Sequence, residues 1–338
     1  MATTEPMQQD RTEQYCVEHG ALTAINNYYR LAEFVSLSVS TLSAVNMLYF
    51  LYRHHTSSLF FHNNLRVLFF SLSICCLAYD VMNMGIKVHH LTLSYVYKTT
   101  CELFLPKVLY MTMCIPIYFV WIGAQFVLVS IVIERWIAVI FRRSYETGYK
   151  KVGPALVLAA VLITSSVIVL LYYGETFEGP QINARLIPST RYLQGNVLII
   201  SLLVTNFSGL VLTVALRLVR PRWQIRMPLS SKFQSKENRI ASNLIFWIST
   251  MQFASIFFTQ IGSLYIRLYH SKDPLSPAYK ESIDLFNYYT LALPVLSTLY
   301  LVKVKKRRIK DITNSVNMRA SGDDGWTNYY LLIQKQWM

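Results

Sequence analysis

Charged side chains make up only 15% of this 338-residue chain, and 53% of its residues are hydrophobic. Soluble domains usually carry about 25% charged residues. This chain has too few to cover a water-facing surface of its size, so a soluble globular protein is excluded. Glycine is scarce as well, with 12 residues. No Gly-rich phosphate loop, Gly-x-Ser-x-Gly elbow or His-Glu-x-x-His motif occurs. Enzyme function has little support, and no cofactor or metal is expected. The first twenty residues lack a basic start and an apolar core and hold Glu5, Asp10, Glu13 and Glu18, so no cleavable signal peptide is visible.

What the chain has in abundance is long apolar runs. About 20 residues suffice to cross the hydrocarbon as a helix, and seven segments qualify: 31–52, 65–86, 103–133, 154–173, 196–219, 240–266 and 283–302. The net charge is +14, and its distribution decides its meaning. Twenty Lys and Arg residues crowd the connections 1–2, 3–4 and 5–6 and the start of the tail, against about ten on the other face. Among them are Arg53 and Arg66, then Arg142 and Arg143, and the run Lys303, Lys305, Lys306, Arg307, Arg308 and Lys310. Cations gather on the cytoplasmic side of membrane proteins. The basic excess is therefore topological, and nucleic-acid binding is not expected. The predicted fold is an all-α membrane protein, a seven-transmembrane-helix bundle with the N-terminus outside and the C-terminus cytoplasmic. Residues 1–30 form the extracellular segment, 31–302 the bundle and 303–338 the tail.

Of the five cysteines, Cys75, Cys76 and Cys114 fall inside spans. Cys16 precedes the first span and Cys101 opens the third, so both face the oxidising exterior. In many seven-span receptors the loop between spans four and five supplies the partner for the cysteine above span three. Here that loop has none. A Cys16–Cys101 bridge over the bundle is one reading, and two free thiols are the other. The sequon at Asn206 lies inside the fifth span and reads as unglycosylated.

Ionisable groups inside a span cost roughly 2.5–3.5 kcal/mol each on insertion scales. Asp80, deep in the second span, must face the bundle interior as a functional polar site or as a structural hydrogen-bonding group. Lys107, one turn inside the third span, either contacts a ligand or snorkels to the interface. Gln125 and Gln260 either mark a cavity or hold helices together. His54-His55 and His89-His90 fall on opposite sides of the membrane and cannot share a metal. They read as interface residues.

Two stretches stand out on the cytoplasmic side. In "IVIERWIAVIFRRSYE", 131–146, Glu134 and Arg135 close the third span, where water is scarce and an Arg seeks a charge-assisted partner. Such a pair can act as a switch, or it can be an interfacial Arg with no switching role. Arg142 and Arg143 then face anionic lipid heads, each worth about 1 kcal/mol. In "PLSSKFQSKENRIASNL", 228–244, a helix starts at Ser230 or Ser231 and reaches Glu237 and Asn238 at the inner end of span six. A helical extension beside Arg135 is a place where a partner protein could sense helix motion.

Together these stretches resemble the nematode serpentine chemoreceptors of the Sra superfamily, most closely the alpha/beta class. The family pattern of Glu-Arg, an Ala three residues on and then Tyr-Glu is matched at Glu134, Arg135, Ala138, Tyr145 and Glu146. The loop pattern is matched at Leu229, Ser230, Phe233, Gln234, Glu237 and Asn238. The resemblance implies a G-protein-coupled receptor of the plasma membrane, in the cilia of sensory neurons. Glu134-Arg135 would take the part that Asp-Arg-Tyr plays in rhodopsin-like receptors. Departures from that larger group are plain: Trp247 has no following Pro, and Pro294 and Tyr300 are separated by five residues rather than two. Activation details of spans six and seven therefore do not carry over.

The expected partners are a heterotrimeric G protein, membrane lipids and a small-molecule odorant or pheromone-like ligand. The ligand cavity is expected in the outer half. Its candidates are Lys107, Tyr110, Tyr118 and Trp121 on span three, Phe257, Phe258 and Gln260 on span six, and Tyr288 and Tyr289 on span seven. An odorant-gated seven-span channel would place its N-terminus in the cytoplasm, against the charge count. A transporter should show internal repeats, and the two halves show none. Ile309, Ile312 and Val316 are spaced for a short amphipathic helix after the basic run.

Overall fold

The computed structural model describes residues 16–56, 62–141, 145, 149, 151–177, 182–183, 185, 188–218, 229–270, 273, 275–317, 326–327, 330–331 and 333–334. Seven helices in it are long and apolar enough to cross a membrane. In hydrocarbon every backbone N–H and C=O must be satisfied within the segment, which leaves helices as the solution for runs of this kind. They are α1 (Asn27–Thr56), α2 (Asn63–Val96), α3 (Lys107–Ile140), α4 (Val152–Tyr172), α5 (Tyr192–Leu218), α6 (Leu229–Tyr269) and α7 (Phe286–Asn317). A short helix, Ser276–Ser282, precedes α7.

Helices adjacent in sequence pack as neighbours, and α7 closes the ring against α1 and α6. Helix α3 sits centrally, touching α2, α4, α5 and α6. The core runs along its inner face: Ile122, Leu128 and Ile131 of α3 join Leu65, Leu68 and Leu72 of α2 and Ile245 and Ile248 of α6 in one apolar cluster. Large apolar side chains such as Leu48, Leu162 and Val204 remain exposed on the outside of the bundle, the surface that lipid would cover.

Several helices run beyond the expected spans: α2 continues past 86 to Val96 and α6 begins at Leu229. The third helix begins at Lys107 and runs on to Ile140, so Glu134 and Arg135 lie inside a continuous helix rather than closing it. Residues 136–140, "WIAVI", contain no breaker, and the helix ends where Phe141 leaves helical geometry. Likewise α7 passes the 302 limit and continues through the basic run to Asn317. Lys and Arg are good helix formers and no Gly or Pro interrupts them. The basic run and the segment holding Ile309 therefore extend α7 instead of forming a separate helix.

At one end of the bundle Cys16 and Cys101 are joined by a disulfide. Around it the segment Val17–Ala24 packs on the turn Thr100–Leu103, with Ala21, Ala24 and Leu103 forming a small apolar cluster under Leu93 and Tyr97. On the same end Glu175 accepts bonds from Thr190, the Phe177 N–H and Arg191. Burial pushes its carboxyl up, but those bonds outweigh burial and hold it below the usual range.

At the opposite, basic end, Gly153 lets α4 approach the start of α2. A Cβ there would lie 2.7 Å from the Asn64 Cα and 2.8 Å from its carbonyl oxygen. Backbone cannot yield as a flexible side chain can. Gly153→Ala is expected to destabilise the bundle by about 1–3 kcal/mol, seen as a lower melting temperature of the purified chain. Gly85→Ala, with nothing within 4 Å of the added carbon, serves as the silent control.

Candidate functional site

The densest polar contacts at the basic end centre on Glu134, which is 0% exposed. Neighbouring residues on a helix point apart, yet the long Arg135 side chain folds back. Its Nε donates to Glu134 Oε2 and its Nη2 to Oε1, both at 2.5 Å. Tyr145, from the connection after α3, donates to Glu134 Oε1 as well. Asn64 of α2 holds Tyr145 in place, its Nδ2 lying 3.1 Å from the Tyr145 hydroxyl and 2.6 Å from the Tyr149 carbonyl. Burial and the adjacent Glu134 carboxylate push the Tyr145 hydroxyl up, so it stays a donor.

The remaining arm of Arg135 crosses the bundle. Its Nη1 donates to Asn238 Oδ1 of α6 at 3.1 Å. One buried cation thus joins α3, the following connection and α6, while the Tyr300 hydroxyl of α7 donates to the Ile240 carbonyl of α6 nearby. Glu146 lies outside the described residues. Glu237 falls within α6, and its side chain likewise lies outside them.

A second cluster occupies the disulfide end. Lys87 of α2, 0% exposed, is shared by Glu33 of α1 at 3.1 Å and Glu281 of the short helix at 2.7 Å. Arg185, from the connection between α4 and α5, reaches Glu281 at 3.3 Å and also pairs with Asp284 and the Tyr79 hydroxyl. His90 is buried with its ring 3.7 Å from Glu33, so it is an interior residue rather than an interface one. Removing such charges from water costs several kcal/mol per ion, and mutual pairing offsets that cost only in close geometry. Among the described residues no group of His, Cys, Asp or Glu is arranged to hold a metal ion.

Between the two ends run seams of polar contacts. Asp80 accepts from Ser43 at 2.6 Å and Thr290 at 2.8 Å, which ties α2 to α1 and α7. One turn on, Asn83 donates to Ser40 at 2.8 Å. Across the bundle, Asn206 donates to Gln125 at 2.7 Å and accepts from Gln252 at 3.1 Å, which joins α3, α5 and α6. Gln125 therefore holds helices together. The Asn206 sequon is buried in that contact, out of reach of any modifying enzyme.

The expected ligand residues divide. Tyr110, Tyr118 and Trp121 cluster under the disulfide end. Tyr118 donates to the Arg185 carbonyl at 2.7 Å, its ring lies edge-on to Trp121, and Trp121 meets Phe286 of α7. Tyr110 packs on Phe177. Tyr289 is buried against Phe286, and Tyr288 is 45% exposed between α1 and α7. Phe257 stacks along α6 on Phe253, Gln260 is half-buried and Phe258 points outward at 59% exposure. Phe258 thus belongs to the outer surface. Lys107 is the first residue of α3 and is exposed at the rim, not one turn inside the span.

The chain-wide match follows this layout. The family described as serpentine type 7TM GPCR chemoreceptor Srb matches residues 25–261. The chain belongs to the Srb family of serpentine chemoreceptors. Its relatives in Caenorhabditis elegans include serpentine receptor class beta-17, 26% identical over 96% of this chain and 92% of that protein. Class beta-13 is 23% identical over 94% of each chain, and class beta-3 is 23% identical over 93% of each. The resemblance to nematode serpentine chemoreceptors holds, with the class corrected from alpha/beta to Srb. This Srb receptor is a multi-pass membrane protein of receptor type, not of an enzyme family.

Sequence reasoning missed the ion cluster of the Srb chain, although part of its signal was present. Asp80, Asn83, Lys87 and His90 follow one another at helical spacing on α2, a polar stripe pointing at one buried face. Glu281, the partner of Lys87, and Arg185, which meets Glu281, lie about 200 and 100 residues away and outside the predicted spans. Lys87→Leu leaves two buried carboxylates facing each other and is expected to cost about 3–5 kcal/mol. Adding Glu33→Leu should recover much of that loss. Thermal unfolding of the purified receptor checks this, and a Lys87→Leu variant as stable as the parent would refute it.

Proposed function

We propose that this chain is a chemosensory G-protein-coupled receptor. A small external chemical binds in the disulfide half and favours a bundle state that activates a heterotrimeric G protein at the basic end. Family membership supports the receptor class. The disulfide supports the orientation, because such bonds persist in oxidising compartments and this one lies at the end opposite the cationic connections. The amino end is then outside, and the receptor sits in the plasma membrane, in the cilia of sensory neurons.

The single observation that carries the coupling is the span of Arg135 from Glu134 to Asn238. It is a closed arrangement of α3 and α6, with Tyr145 clamping the carboxylate from the following connection. Opening moves the inner ends of α5 and α6 outward, takes Asn238 from Arg135 and uncovers the cation to the partner. A ligand shifts this equilibrium only by its difference in affinity for the two states. The aromatic group of Tyr118, Trp121 and Phe286, bordered by Arg185, is where that difference arises.

Two substitutions test the lock in cells carrying a G-protein reporter. Asn238→Leu removes a hydrogen bond to a charged group, worth about 1.5–3 kcal/mol. It is expected to raise ligand-independent signalling, with the closed-to-open ratio moving roughly 10- to 100-fold. Arg135→Ala is expected to abolish signalling at unchanged surface expression. Undiminished signalling from Arg135→Ala would remove the assigned role.

A further inference from the structure

A cavity of about 190 Å³ opens between α1 and α7 beside the short helix Ser276–Ser282. Its mouth is formed by Tyr28, Leu31, Val35 and Tyr288, each between 41% and 60% exposed on the outer surface of the bundle. In a membrane that surface faces lipid near the disulfide end, so the cavity opens sideways into the bilayer. Its floor is different. Ser36 and Asn287 are buried there, 8% and 2% exposed, and Asn287 donates its amide N–H to Ser36 Oγ at 2.8 Å. That leaves Asn287 Oδ1 as a buried acceptor with no partner among the described residues, which is costly unless something fills it.

The ionisable groups on the wall are Glu281 and Asp284. Their oxygens already accept from Lys87, Arg185 and Asn183, and Lys87 and Arg185 are not among the lining residues. With Glu33 the cluster behind the wall holds, among the described residues, three carboxylates against the two cations Lys87 and Arg185, so the wall keeps a net negative charge. A volume of this size slightly exceeds the roughly 150 Å³ cavity that holds a benzene ring, so it takes a head group and the first carbons of a chain.

We infer that this cavity binds a membrane-partitioning amphiphile, entering between α1 and α7, whose head is a hydrogen-bond donor (an amine or an alcohol) and not a carboxylate. The head donates to Asn287 Oδ1 beside Glu281 and Asp284, and the chain runs along Ala32, Val35 and Val39 toward the lipid. A carboxylate head would add a fourth carboxylate to three that share two cations, and it would leave the acceptor unfilled. Because Asn287 also borders the Asp80–Thr290 contact through Thr290, which donates to the Asn287 carbonyl at 2.8 Å, occupancy bears on the seam that joins α1, α2 and α7. The inference rests on the receptor reading for the placement of this end in the membrane, and it concerns a site apart from the Tyr118, Trp121 and Phe286 group.

The full chain in nanodiscs of zwitterionic phospholipid is labelled with straight-chain diazirine probes of equal length carrying an amine, an alcohol or a carboxylic acid. Cross-linked peptides are then mapped by mass spectrometry. Saturable labelling of residues 27–39 or 282–288 by the amine and the alcohol is expected, with the acid at least about tenfold weaker as a competitor. Ala32→Trp, which fills the cavity, is expected to lower labelling at least tenfold. Asn287→Leu, which removes the acceptor at similar size, is expected to weaken the alcohol about three- to tenfold. Should Ala32→Trp not fold, Asn287→Leu decides. Labelling that does not saturate, that is unchanged in the folded variants or that the acid displaces equally would overturn the inference. No G protein enters this measurement, so its failure beside intact Arg135-dependent signalling removes the cavity and leaves the receptor reading standing.

Discussion

Lys87 carries its ammonium group at 0% exposure in the disulfide half of the bundle, where no water competes for it. A charge in that position is tolerated only when the surrounding chain supplies opposite charge in close geometry. Here the supply comes from two carboxylates, Glu33 on α1 and Glu281 on the short helix before α7, and Glu281 in turn pairs with Arg185 of the connection between α4 and α5, which also meets Asp284. One buried cation therefore fixes α1, α2 and the short helix before α7 together, and the carboxylates Glu281 and Asp284 draw the loop of Arg185 down onto them. The disulfide at Cys16–Cys101 closes the same end from the side of α3. Charge pairs thus join α1, α2 and the short helix before α7, while the cap on the α3 side is held by a covalent bond and a small apolar cluster.

The same constraint operates at the other end with a different result. Arg135 is nearly as buried, yet among the described residues its charge is matched by one carboxylate, Glu134, on its own helix, and its bond to α6 is to the neutral Asn238. The disulfide-end cluster binds elements together through charge pairs across helices, which are expensive to separate. The basic-end pair stays neutralised when α6 moves, because Glu134 and Arg135 travel together. A cation whose neutralising partner is on its own helix can exchange a weaker cross-bundle bond at modest cost. That asymmetry separates an end held by charge pairs across helices from one held across the bundle by a weaker bond, and the seams of Asp80, Ser43 and Thr290, and of Gln125, Asn206 and Gln252, connect them by hydrogen bonds.

How far the sequence discloses this differs from residue to residue. The seven spans are legible because lipid demands long apolar runs, and the central position of Glu134-Arg135 follows from a charged pair abutting such a run. The end of α3 is not legible in the same way. Hydropathy marks where the chain leaves hydrocarbon, not where the helix stops, and α3 continues through Trp136 to Ile140 because nothing interrupts it. The continuation of α7 through its basic run is hidden for the same reason. The ion cluster is half legible: Lys87 and His90 extend the polar stripe of Asp80 and Asn83, but no local pattern announces that Arg185 descends from a loop to meet Glu281. The outward turn of Phe258 is equally invisible, since in an apolar helix both faces read alike.

Helix α1 shows why lateral access and a buried ion cluster can coexist. Its residues Glu33, Ser36 and Ser40 face inward, while Leu31, Phe34 and Val35 face out, and the change from one face to the other takes a single residue. Glu33 is held by Lys87 at one edge of this boundary, so α1 cannot rotate to close the gap beside α7. The Tyr28 hydroxyl donates to Ser282 at 2.9 Å across the top of the gap, while lower down the Asn287–Ser36 bond seals its floor. An opening bounded above and below by hydrogen bonds and fixed in register by an ion pair is a preformed feature of the bundle. Any molecule that fills it meets side chains whose positions the ion cluster has already set.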